Sequence, residues 1–123
     1  MATERDELGQ KGERIADRAL KRAGMRIIAR RFRTPVGELD LVAREGNTIV
    51  FVEVKTQTSE AHIDPRDRIT PAKRAALIKA AKWMIRARKW EQKPLRFDVV
   101  TVVLDETEPR VEHIRDAFVV RGI

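Results

Sequence analysis

The stretch GELDLVAREGNTIVFVEVKT, residues 37–56, constrains this chain more than any other segment. Apolar residues alternate with other types on both sides of Glu45-Gly46-Asn47, the period-two pattern of paired strands. Leu39, Leu41 and Ala43 share one face of the first arm, and Val50, Val52 and Val54 share one face of the second. Both aliphatic faces are expected on the same side of a sheet, over one core. That requirement restricts the register, because a slip of one residue exchanges the faces. A two-residue loop at Glu45-Gly46 pairs Asp40 with Phe51 and Glu38 with Glu53. A four-residue loop pairs Asp40 with Glu53 and Glu38 with Lys55. In either register Glu38, Asp40, Glu53 and Lys55 converge at one end of the opposite face.

A solvated strand face can carry such charges, with each cross-strand pair contributing about 0.2–1 kcal/mol. Two features argue against that here. Ile49 and Phe51 lie on the same face as Glu53 and Lys55, so the face is partly covered, and a single lysine does not balance three acids. Clustered carboxylates repel, and a hard cation with oxygen ligands relieves the repulsion. The pattern fits metal-assisted phosphodiester hydrolysis. Two carboxylates hold Mg²⁺ (or Mn²⁺) and leave places for water and a phosphate oxygen. A neighbouring lysine orients the water or stabilises the extra negative charge.

Around the hairpin, spacing predicts a helix over residues 4–23, from Leu8, Ile15, Ala16 and Ala19, with Gly24 as its left-handed cap. Met25–Arg33 reads as a first strand, and Thr34-Pro35-Val36-Gly37 as a tight turn. Strands two and three follow as Glu38–Arg44 and Thr48–Thr56, and Gln57–Ile69 as a loop. Thr70-Pro71 starts a second helix that runs to Trp90. Leu95–Leu104 is a further strand, and Arg110–Ile114 a short edge strand before a tail that packs Phe118. A helix between strands three and four makes those two parallel. The expected fold is α/β, an αβββαβ core with a mixed sheet flanked by helices, in a single domain over residues 1–123.

At Asp40 and Glu53-Val54-Lys55 the chain resembles the Asp…(Asp/Glu)-X-Lys motif of the PD-(D/E)XK, restriction-endonuclease-like nuclease superfamily. GELDLV, VFVEVKT and RFDVVTV are similar to the bacterial YraN-like family of predicted endonucleases, itself similar to archaeal Holliday-junction resolvases. The resemblance runs from Gly12-Glu13 to Phe118. It implies Asp40, Glu53 and Lys55 as catalytic residues. As metal ligands it implies Asp40, Glu53, the Val54 carbonyl and Glu13. By spacing alone Glu13 flanks the apolar stripe of its helix, where it reaches the sheet edge or faces water. Leu39 stands where the superfamily has proline, and Gln57 where the family usually has an arginine that touches phosphate. Resolvase-like relatives act as dimers, so the resemblance also allows a homodimer.

The net charge of +7, from 26 Lys and Arg against 19 Asp and Glu, favours a polyanionic partner, nucleic acid ahead of a membrane surface. DNA is placed ahead of RNA, branched or single-stranded DNA first. The alternative is a non-catalytic nucleic-acid-binding protein that retains the nuclease fold. The absence of cysteine excludes disulfides and thiolate metal sites. With no apolar run of about 18 residues and a polar amino terminus, a cytoplasmic protein is expected.

Arg66, Arg68 and Arg74, in or just after the long loop, are candidates to touch a nucleic-acid backbone. Lys73 joins them, in a first helical turn that points over the sheet or snorkels at the core edge. Lys79, Lys82, Arg86 and Lys89 read as a solvated face, and Trp83 and Trp90 as packing residues. Arg96 and Asp98, two apart on one strand face, read as an ion pair. His62 and His113 receive no role.

Overall fold

A computed structural model describes residues 3–58, 69–104 and 107–122. In chain order the elements are α1 (Glu4–Arg22), β1 (Arg26–Thr34), β2 (Gly37–Glu45), β3 (Thr48–Gln57), α2 (Pro71–Arg88), β4 (Leu95–Val103) and β5 (Arg110–Phe118). The strands form one sheet in the order β1-β2-β3-β4-β5, with β3 and β4 parallel and the other neighbours antiparallel. The αβββαβ order and the mixed sheet flanked by helices are as expected. Among the described residues no helix is long and apolar enough to cross a membrane.

Local chemistry accounts for the boundaries. Thr3 and Asp6 form a reciprocal capping box at the start of α1, and Gly24 follows its end with φ 93°. Thr70 accepts the Lys73 N–H at 3.1 Å, and Pro71 opens α2. That helix stops two residues short of Trp90. Lys89 turns left-handed, φ 58°, and the Trp90 N–H reaches back to the Ile85 carbonyl.

The β2–β3 hairpin pairs Leu41 with Val52 and closes at Glu45↔Thr48, in the register of the four-residue-loop alternative. Pairing continues one step further in, so only Gly46 and Asn47 form the turn. Gly46 supplies the positive φ of 59° that its first position needs.

Each face of the sheet carries its own core. Ala16 and Leu20 of α1 cover Leu41, Ala43, Val50, Val52, Val100 and Val102. Leu77, Ala80, Ala81, Met84 and Ile85 of α2 cover Val42, Ile49, Phe51 and Phe97 on the other side. Leu39 corrects the sequence expectation: it packs with Val42 in the α2 core, not with Leu41 and Ala43. Strict alternation fails where β1 is irregular. A bulge at Ile28 shifts the register between Ile27↔Ala43 and Ala29↔Val42. Between Arg30↔Leu41 and Phe32↔Leu39, Arg31 takes a left-handed φ of 46°, and the strand pair twists there.

The last strand is nine residues long, not the short Arg110–Ile114 segment expected. It continues past an irregularity opposite Asp98, where Asp116 is left-handed at φ 52°. Asp98 is fully buried and accepts the Asp116 N–H at 2.9 Å. Its carboxylate also accepts from Arg96 Nε and Nη2, at 2.8 and 3.0 Å, and lies 2.7 Å from His113 Nε2. The Arg96–Asp98 pair is thus present, within a larger network that includes the unassigned His113. Arg96 and Arg115 both reach Glu45 of β2, tying β2, β4 and β5 together. These donors hold Asp98 below the usual carboxylate range, although burial pushes the other way.

Gly12 sets the approach of α1 to β3. A Cβ built there would stand 1.8 Å from Thr56 Oγ1 and 2.7 Å from Thr56 Cβ. Alanine gains about 1 kcal/mol in helix propensity, but overpacking costs about 1–3 kcal/mol. Gly12→Ala should therefore lower stability, read as a lower urea midpoint. A midpoint equal to or above wild type would mean that Thr56 yields freely.

Candidate active site

Beyond Leu41↔Val52 the β2–β3 ladder gives way to a side-chain contact: Asp40 Oδ2 accepts the Val54 N–H at 2.9 Å. A strand residue sends its N–H and C=O to the same side, so the Val54 carbonyl opens next to Asp40. Glu53 lies one residue before it, with its carboxyl in hydrogen-bonding reach of Asp40. Lys55 Nζ stands 3.9 Å from Glu53 Oε1. Asp40, Glu53 and Lys55, expected at one end of one face, do meet.

The surroundings oppose ionisation of the two carboxyls. Burial, then the charge of Asp40, raises Glu53 from 4.5 to about 7. Asp40 is also raised, by burial first and with Glu13 adding repulsion, while the Val54 N–H pulls the other way. The hydrogen bond between the two favours charge on Asp40 and the proton on Glu53. Burial, then the neighbouring Lys73, lowers Lys55 from 10.5 to about 8.

Lys73 is exposed, yet its ammonium lies near enough to Lys55 and Glu53 to act on both. Arg74 turns elsewhere: its guanidinium stacks 4.7 Å from the Phe118 ring centroid. Glu38 contacts Arg33, across the turn, at 3.3 Å and stays at the sheet edge. Glu13 reaches the Asp40 side of the site but is gripped by Arg31, whose Nε donates to Oε1 at 2.6 Å. Arg66, Arg68 and His62 lie outside the described residues. Lys79, Lys82, Arg86 and Lys89 are exposed. Trp83 packs against Phe32 with ring centroids 6.2 Å apart, and Trp90 packs at the edge of the α2 core.

Sequence reading overlooked Arg31 and Asp17. Asp17 is buried on α1 and holds both Lys21 and Arg30. The spacing of Glu13 and Asp17, one helical turn apart toward the sheet, was the available signal. Nothing in the sequence marks the left-handed backbone of Arg31.

Among the described residues no three His, Cys, Asp or Glu side chains are grouped closely enough to cage a metal ion. Two carboxylates and one carbonyl remain, all oxygen donors. That set suits a hard divalent cation that keeps several places for water and substrate. Two acids crowded until one keeps its proton are also a site that gains from added positive charge.

Comparison with known proteins places the chain. A "UPF0102 protein" of Syntrophotalea carbinolica is 43% identical over 122 residues, covering 99% of both chains. Another from Geotalea uraniireducens is 45% identical over 112 residues, 90% of this chain and 88% of the relative. One from Anaeromyxobacter dehalogenans is 44% identical over 115 residues, 93% and 85% of the two chains. Residues 12–102, which include every residue of the site, match the description "Uncharacterised protein family UPF0102", and the chain belongs to that family.

Proposed function

We propose that this protein is a metal-dependent endonuclease that hydrolyses phosphodiester bonds in nucleic acid, with branched or single-stranded DNA as its substrate class. One observation carries the reading: two half-buried carboxyls and a half-buried lysine converge where a β-ladder opens, at the margin of two apolar cores. A protein that only binds a polyanion gains nothing from crowding acids where the polyanion would lie. Asp40, Glu53 and the Val54 carbonyl would hold Mg²⁺ or Mn²⁺, with Glu13 beside them but already engaged by Arg31. When bound, such an ion supplies charge neutralisation at the phosphate and acidifies a water. Lys55, near 8, lies close enough to neutral pH to take up or release a proton at Nζ. Lys73 adds a second positive group facing the same place, suited to a phosphate oxygen.

The test is cleavage of labelled branched, single-stranded and duplex DNA with Mg²⁺ or Mn²⁺. Cleavage should disappear in Asp40→Ala and Lys55→Ala while binding persists. Equal cleavage by wild type and both variants would assign the activity to a contaminant. Binding without any cleavage by the wild type would favour the non-catalytic reading.

A further inference from the structure

We propose that the cleft between α1 and β1 is a phosphate track, along which one nucleic-acid strand runs away from the site past Arg14 and Arg18. This assignment rests on the nuclease reading and adds to it a route for the substrate.

The cleft has a volume of about 500 Å³, and Asp40 is one of its lining residues. Arg14, Arg18 and Lys21 come from α1, at the three- and four-residue spacing of one helical face, and Arg30 and Arg31 from β1. These cations divide into two kinds. Lys21 and Arg30 are tied to Asp17, and Arg31 to Glu13, so their positions are fixed by acids in the cleft wall. Arg14 and Arg18 are exposed and make no ion pair or hydrogen bond with a described residue.

Five cations against Glu13, Asp17 and Asp40 leave an excess of two positive charges along this wall. The geometry favours a chain of phosphates over a single small anion. Arg14 to Lys21 covers seven residues, about 10 Å of helix axis, which is longer than one phosphate group. Arg31, left-handed at φ 46°, lines the same cleft. Its guanidinium contact with Glu13 leaves it between the carboxyls and the free arginines. The α2 side offers less: Arg74 is spent on Phe118, and Lys73 faces Lys55.

The experiment is fluorescence anisotropy of labelled oligothymidylate with EDTA present, so that binding is read without cleavage, over a series of salt concentrations. The double variant Arg14→Ala/Arg18→Ala should bind about tenfold or more weakly, with a salt dependence of log K shallower by about 1.4, or 0.7 per lost phosphate contact. Lys82→Ala/Lys89→Ala, on the exposed side of α2 and at its end, should match wild type. Both pairs lie at exposed positions, and equal thermal melts would show that folding is not the cause. Wild-type affinity in the arginine double variant, or an equal loss in the lysine pair, overturns the track. If wild type cleaves DNA and the arginine pair proves silent, only the track fails. If wild type binds no nucleic acid, the nuclease reading fails with it.

Discussion

Glu53→Gln is expected to abolish cleavage and yet make the metal-free protein more stable above pH 7. In the folded chain Glu53 titrates near 7 rather than 4.5, chiefly because it is buried and then because Asp40 is charged beside it. Below about pH 4.5 folded and unfolded chains both hold the proton, and the group contributes nothing. Between about 4.5 and 7 the unfolded chain has released its proton while the folded chain keeps it, so stability falls as pH rises. Above 7 the full penalty remains, on the order of 3 kcal/mol. Glutamine keeps the shape without the charge. Its advantage in urea midpoint should therefore be largest near pH 8 and vanish near pH 4. Mg²⁺ should raise the thermal midpoint of wild type and leave that of the variant unmoved, because a ligand stabilises only the state that binds it. Cleavage should fall by at least about a thousandfold, the scale on which preorganised electrostatic groups act. A variant less stable than wild type at pH 8 would mean that Glu53 is a structural group and not a strained functional one.

The second large effect lies at Asp98. Alanine there should destabilise the fold by about 3–5 kcal/mol, the usual consequence of removing one partner from a buried ionic network. Arg96 would keep Glu45 alone, His113 would lose its contact, and the Asp116 N–H would be left without its acceptor in a left-handed turn. Asp98→Asn separates charge from shape. Because the folded carboxyl is held below its ordinary range, its stabilisation is fully present above the unfolded value, near 3.9. It is lost as pH falls through the folded value. Wild type should thus exceed Asp98→Asn at pH 7 and converge with it at the most acidic pH where both still fold, as read by urea denaturation. A loss under about 1 kcal/mol for Asp98→Ala would show that the network is decorative.

Much of this fold can be read from residue patterns. Thr70-Pro71 and Gly24 fall where helices start and stop, because capping chemistry is local. Strand parity places Glu53 and Lys55 on one face, but Asp40 stands where alternation breaks, between Leu39 and Leu41, and joins them by accepting the Val54 N–H. Leu39 escapes that logic: alternation breaks at Arg31, and no glycine or asparagine announces the left-handed backbone there. The reach of β5 was hidden for a related reason. Its continuation depends on Asp98 accepting the Asp116 N–H, a contact between residues 18 apart. Glu38 could not be removed from the acid cluster by parity, since its partner Arg33 is found only once the intervening turn is closed.

The irregular backbone of the two outermost strands also governs how copies of this molecule can meet. β1 carries a bulge, a left-handed arginine and a row of cations, and β5 a left-handed aspartate. A neighbour trying to extend the sheet along either margin would lose hydrogen bonds at each kink and meet like charge along β1. Open rims so guarded discourage ribbon-like stacking and fibrils. Any specific pairing of two such molecules is thereby directed to their helical or loop surfaces.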